Sequence, residues 1–487
     1  MSLRAEPGRG LYAGGYLTLY LALTLAVMLS FLLAVINGAR VSSSRLKAEI
    51  TVDTALNSVL GEFSRALLEQ YDLFFADASY GSGNASVQRV SDRLRMYAEK
   101  NLEPAGMLHP GLRDFRGLHL EECEVTSARF AADEDGRALK EQIYAYMTAD
   151  PAGALFGELL TMVEGYDASA AEEDTWSSQW EENWSAFTGS EISEENEDSL
   201  YAEQGETIAS FSALNEFRLL PVLWQVLGSG AEVSEADIKG AGDPLSRRRV
   251  HYGQATVMES SHGYPPADAF LMDMYICEKC GSYREPLEKG LLKYQQEYIV
   301  FGKDTDRANL ESMARRLLII RTAANLAYIY TDAEKTGIAD AIGAVFAFLT
   351  ALPELQPVVK NLVLLGWSYM ESIQDVRTLF DGGKVPPLKT KAAWKTSLMS
   401  LLFPEARDTA GSESGLTYEN YLQIFLFIMD GHSRTFRLMD IMESDIRTGT
   451  GCSGFCMDWC LDTLTAEFDF GSGFGKGVRI SRTAGYN

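Results

Sequence analysis

The side chains best suited to chemistry in this 487-residue chain are its six cysteines, its five histidines and one run of three arginines. Cys277 and Cys280 form a CxxC pair, a spacing that lowers a thiol pKa and offers two sulfurs to one metal ion. A four-thiolate site needs a second such pair, and the chain has none. Cys452, Cys456 and Cys460 follow at intervals of four, which places them on one face of a helix or of a strand, and Cys123 stands apart. Metal binding and redox catalysis are the sharp readings of these thiols. The expectation is six structural cysteines, packed or disulfide-linked.

His109, His119, His251, His262 and His432 are scattered, with no HExxH and no histidine beside a cysteine pair, so zinc hydrolysis lacks its ligands. Arg247, Arg248 and Arg249 could hold a phosphate or sulfate, but in so acidic a chain they are expected to answer its own carboxylates. Ser44 to Lys47 spells SxxK without SDN or KTG partners, and the glycines from Gly471 to Gly477 lack the following helix of a phosphate cradle. Paired carboxylates are too numerous for any pair to signal acid–base work. No catalytic, cofactor-binding or metal-binding residue is assigned, and a non-enzyme is expected.

The elements that must position these groups begin with an apolar run. Tyr16 to Ile36 is 21 residues without a charge, long enough at about 1.5 Å per residue to cross a hydrocarbon core of roughly 30 Å. It exceeds the apolar core of a cleaved signal peptide and lacks a small-x-small cleavage site, so a retained single-pass anchor in the cell membrane is expected. Arg4 and Arg9 before it nearly balance Arg40, Arg45 and Lys47 after it, and the size of the part behind it places that part outside the cell. Beyond a joint at Asn37-Gly38, Leu56, Val59, Leu60, Phe63, Leu67, Tyr71 and Phe74 mark one helical apolar stripe.

Helical patterns follow at 87–102, 137–147, 152–163, 217–227, 267–276, 287–301 and 310–331. Ala341–Leu352 and Val358–Trp367 are too short to span and read as buried helices, and 418–446 reads as two helices split at Gly431. Period-two alternation near Leu118–Val125, with a slip at Glu121-Glu122, and again at Leu464–Phe470 reads as strands, the second opening a terminal hairpin. The class is α+β: an amino-terminal transmembrane helix continuing into a long amphipathic helix, then a mostly helical exported domain with a small antiparallel sheet. The expected parts are a cytoplasmic stub at 1–15, a transmembrane helix at 16–37, an amphipathic stalk or docking helix at 38–80 and an exported domain at 85–487.

Composition fits a globular protein on one anchor, with 46% hydrophobic residues and a formal charge of −25. Residues 142–217 contain no Lys, Arg or His. Within them the acidic insertion at 167–206 carries Trp176, Trp180 and Trp184 at helical spacing, a stripe that could dock while the acids stay solvated. Such a charge argues against nucleic acid as a partner.

Several stretches carry a resemblance: YLTLYLALTLAVMLSFLLAVINGARVSS with AEITVDTALNSVLGEFSRALLEQYDLFF, then KYQQEYIVFGKDTDRANL, GWSYMESIQDVRTLFDGGKVPPLK, and GLTYENYLQIFLFIMD with RLMDIMESDIR. Together they resemble an uncharacterised Firmicutes family associated with tight-adherence (Tad, or Flp) pilus loci, and the amino-terminal part is similar to TadE- and TadG-like pseudopilins. The resemblance implies a membrane-anchored, non-enzymatic accessory or minor pseudopilin-like component of pilus assembly or adhesion. Its implied partners are the lipid bilayer, other pilus-assembly proteins or pilins, and further copies of itself through the amino-terminal helix. Gly15 precedes the span where a prepilin peptidase would cut, before Tyr16, but Tyr20 stands at the fifth position where a prepilin commonly has Glu. That departure favours a minor role over a major subunit. The alternative is a cell-surface adhesin or ligand-binding ectodomain not required for pilus assembly.

Overall fold

The computed structural model describes residues 12–81, 86–102, 118–149, 175–189, 212–228, 230–253, 266–398, 411–412, 414–472 and 477–486. Helix α1, Tyr12–Leu60, is one uninterrupted element of 49 residues. The apolar span occupies its first half, none of whose best 18-residue window is buried, which separates it from the core helix of a soluble protein. By length and composition it can cross a membrane. Asn37-Gly38 does not break the helix, because hydrogen-bonded turns on both sides carry the small cost of one glycine, about 1 kcal/mol.

In its second half α1 buries Ala48, Val52, Ala55, Leu56, Val59 and Leu60, a stripe at helical spacing. The stripe expected to run on to Phe74 divides at Ser64, whose extended backbone and side-chain cap on the Leu67 amide start a new helix, α2, Arg65–Tyr71. Leu67 and Tyr71 face a different core from Leu56 and Val59, and Phe74 is 41% exposed. Strand β1 (Ala76–Asp77), helix α3 (Val87–Leu102) and strand β2 (Leu118–Phe130) follow.

The helical body comprises α4 (Asp133–Ala149), α5 (Thr175–Gly189), α6 (Val222–Leu227), α7 (Pro266–Lys279), α8 (Gln295–Phe301), α9 (Asp306–Thr331), α10 (Ala333–Thr350), α11 (Leu355–Phe380), α12 (Tyr418–Ile428) and α13 (Gly431–Thr450). The chain closes with β3 (Cys460–Ser472) and β4 (Val478–Gly485). β3 is central, paired antiparallel with β1, β2 and β4. The expected hairpin pairs Phe470 with Val478, and the expected slip in β2 falls between Leu120 and Glu122.

Two cores result. One lies under the sheet, where Leu464, Ala466, Phe468 and Phe470 of β3 meet α1 and α3. The other fills the helical body around α11, buried continuously from Leu362 to Phe380. α10 approaches α11 closely enough that a Cβ on Gly343 would lie 2.4 Å from the Gln356 carbonyl oxygen. Its outer face, however, exposes Ile338, Val345 and Phe348, so of the two apolar runs only the second is continuously buried, and that from Leu362 onward. In the acidic insertion, α5 buries Trp180, stacks it on Trp184 with centroids 6.2 Å apart, and donates from its indole to Asn215. The rest of the insertion, and the helix expected at 152–163, lie outside the described residues.

Residues 281–294 are irregular, and only Gln295–Phe301 of the helix expected from Leu287 forms. The Lys293 and Tyr294 amides donate to Asp306 at 3.0 and 3.2 Å, and the Leu291 amide donates to Asp445 at 3.0 Å. Buried carboxylates thus take donors that a helical turn would have used.

The same device is strongest between α9 and α11. Asp375 accepts from Arg321 at 3.1 and 3.0 Å and from Lys389 at 2.6 Å, and Lys389 also reaches Glu371 at 2.5 Å. All four groups are buried. Arg321 spends its third nitrogen on the Pro386 and Pro387 carbonyls, and Glu371 accepts the Lys395 and Thr396 amides, so the segment after α11 is pinned from both ends. Asp375→Ala, which strands buried Arg321 and leaves Lys389 with the Glu371 carboxylate alone, should destabilise the fold by about 3–5 kcal/mol in chemical denaturation. Lys391→Ala, from an exposed pair, should leave the midpoint unchanged.

Candidate functional site

α13 carries three buried acids, Asp440, Glu443 and Asp445. Asp440 accepts from the Ser246 amide and hydroxyl and from Tyr298. Glu443 accepts from the Met457 amide, from both terminal nitrogens of Arg248 at 2.5 and 2.8 Å, and from Arg447. Arg248 continues to Asp458 at 2.8 Å. Burial pushes Asp440 up to about 6 and Glu297, in the same body, up to about 7, against the pull of their hydrogen-bond donors.

Glu443, Cys456 and Asp458 form the one group of three potential ligands close enough for a metal ion among the described residues. Its lone pairs are already engaged by Arg248 and by Arg447, which also donates to the Cys456 sulfur at 3.2 Å. Two guanidinium charges inside the group oppose a cation there.

On the solvent side of these acids lies a cavity of about 780 Å³ lined by Ser246, Arg248, Arg249, Val250, His251, Tyr252, His432 and Phe436. A smaller one of about 150 Å³ adjoins it, sharing Ser246, His432 and Phe436 and adding Arg247, Tyr298, Gly302, Ser433 and Arg437. Histidines 181 positions apart in the chain therefore meet at one cavity. His251 contacts Asp458 through Nδ1 at 3.1 Å and lies against Trp459, and His432 contacts Asp135 through Nδ1 and lies against Phe436. A carboxylate oxygen can only accept, so each Nδ1 carries the hydrogen and each Nε2 is left for a ligand.

The arginine run divides its work. Arg248 and Arg247 answer the chain's own acids, the latter through Asp304, as the sequence suggested. Arg249 is exposed and has no ion-pair partner among the described residues.

The thiols do not assemble into a centre. Cys123, Cys277, Cys280, Cys452, Cys456 and Cys460 are all free. Burial pushes the Cys123 and Cys277 thiols up to about 12, and holds Cys280 and Cys460 well above the ordinary thiol value. Such thiols stay protonated and are poor nucleophiles. The face shared by Cys452, Cys456 and Cys460 does not form, because 451–456 is irregular with Cys452 exposed, Met457–Trp459 is a single 3-10 turn, and only Cys460 is in a strand. Ser44 is buried in α1, and Lys47 is tied to the Asn101 carbonyl at 2.7 Å. Gly15 and Tyr16 lie within α1 near its start. His109 and His262 lie outside the described residues.

The model of a family of unknown function, DUF5702, matches residues 201–472, more than half of the chain. The chain belongs to this family. No curated protein and no solved structure matches it. The DUF5702 match begins after α1, β2, α4 and α5 and takes in the helices from α6 onward, with the buried acids, the cavity and β3.

Asp440 gives a pH dependence whose sign follows from its raised pKa. Its contribution to stability is fully present below 3.8, its ordinary value, and is lost as pH rises through about 6. In denaturation curves at a series of pH values, the wild type should lose stability relative to Asp440→Asn across that window and hold a constant difference above it. A difference that does not change with pH would show that Asp440 is ionised throughout.

Proposed function

We propose that the protein is a membrane-anchored, non-enzymatic component of a Tad/Flp pilus assembly or adhesion system, in an accessory or minor pseudopilin-like role, with its large carboxyl-terminal part outside the cell. One observation carries the reading: α1 joins an exposed apolar half to a half packed under the sheet without a break. A cleaved leader has no need to be continuous with a core helix, since removing it would leave a folded body that began in mid-helix. An anchor that must hold a body at a fixed distance from the bilayer does need that continuity, because a helix transmits orientation where a flexible linker does not.

The resemblance of the amino-terminal stretch to pseudopilins supports the same role. Tyr20 in place of the usual Glu favours an accessory over a major subunit. The buried, high-pKa thiols and the arginine-filled acid cluster offer no nucleophile or metal centre, which supports a role in assembly or binding. The cavity lined by His251, His432 and Arg249 favours a second reading, a ligand-binding ectodomain that assembly does not require.

Two experiments divide these readings. Protease added to intact cells should remove the region from Leu118 onward while leaving a membrane-embedded α1 fragment; full protection until lysis would put the body in the cytoplasm. Deletion of the gene should abolish or shorten pili, whereas normal piliation with lost surface attachment would favour the ectodomain.

A further inference from the structure

The chain has 68 acidic residues against 43 Lys and Arg, yet no carboxylate lines either of the adjoining cavities among the described residues. Four arginines and two histidines do. The nearby acids are engaged with these cations: buried Asp458 with His251 and Arg248, buried Glu443 with Arg248, and the partly exposed Asp135 and Asp304 with His432 and Arg247, while exposed Asp430 lies near His432 and Arg437. Asp135 is shared with Lys140. Arg437 donates to the Ile299 and Val300 carbonyls and meets no carboxylate within ion-pair distance among the described residues. Arg249 is likewise unpaired among them. The concave surface is therefore cationic in a protein of formal charge −25.

We propose that this cavity binds a phosphate group carried on a larger, partly apolar molecule, with Arg249, His251 and His432 as its ligands. The anion follows from the arginines of the lining, since a guanidinium donates and does not accept, and from the lack of any carboxylate among the described lining residues. Phosphate follows from the number and source of the donors. They come from two chain segments, 246–252 and 431–437, and a tetrahedral group with several charged oxygens can meet both, where a planar carboxylate presents one edge. The larger body follows from the volume, which exceeds a bare phosphate and falls among small-molecule sites of about 300–1,000 Å³. Tyr252 and Phe436 supply the aromatic walls for it. A metal ion is the poorer occupant, because neither histidine joins a third ligand in a cluster and the neighbouring cations repel it. This assignment holds whether or not the protein takes part in pilus assembly.

The test is calorimetric titration of the full chain in detergent micelles with phenyl phosphate, inorganic phosphate and benzoate. Phenyl phosphate should saturate one site and bind more tightly than the other two. Arg249→Ala should weaken it about tenfold, the loss expected for one charge-assisted contact. Arg249→Ala with His432→Gln should abolish saturation, while the melting profile stays that of the wild type because both side chains face solvent. Absence of saturable binding to the wild type at millimolar phenyl phosphate would overturn the proposal. So would unchanged binding by the double variant, or tighter binding of benzoate than of phenyl phosphate.

Discussion

Carboxylates buried on helices and aimed at irregular backbone hold the body of this protein in shape. Asp375 and Glu371 on α11, Asp306 at the start of α9, and Asp440, Glu443 and Asp445 on α13 each reach a neighbouring coil or its cations. An ionised group taken out of water costs several kcal/mol, and only partners that satisfy its lone pairs offset that cost. Amides in non-repeating segments need acceptors for the same reason. The two needs cancel, which lets long stretches without regular structure lie against a helical core. Eleven of the 68 acidic residues are buried among the described residues, so part of the charge in the composition is internal bonding.

That arrangement explains what could be read from the sequence and what could not. The strand face of Leu464, Ala466, Phe468 and Phe470, the helix over Leu310–Thr331 and the pair of helices around Asp430 follow from periodicity, because burial on one side imposes it. Leu287–Tyr294 carries helix-like apolar spacing too, but its amides are taken by Asp306 and Asp445, which no local pattern reveals. Ser64 was a readable N-cap, and weighing it would have ended α1 at Leu60. The cysteine triplet failed because an argument from period presumes a regular element.

The candidate site was the least legible part. Arg247–Arg249 stood out as a run, but that Arg248 would turn inward and Arg249 outward depends on Glu443 and Asp458, far along the chain. Nothing in their surroundings links His251 to His432. Behind the cavity, buried Glu443 and Asp458 hold Arg248, while Arg249 is left facing solvent.

The apolar span and the body meet in α1, all of which lies outside the DUF5702 match and whose buried half completes the core under the sheet. On the proposed function, this helix is kept and forms part of the working protein. The most direct measurement is the intact mass and amino-terminal sequence of the protein purified from a membrane fraction. Retention predicts a chain that still contains Tyr16–Ile36, beginning at Met1 or, after processing behind Gly15, at Tyr16. A chain beginning beyond Ile36 would contradict it.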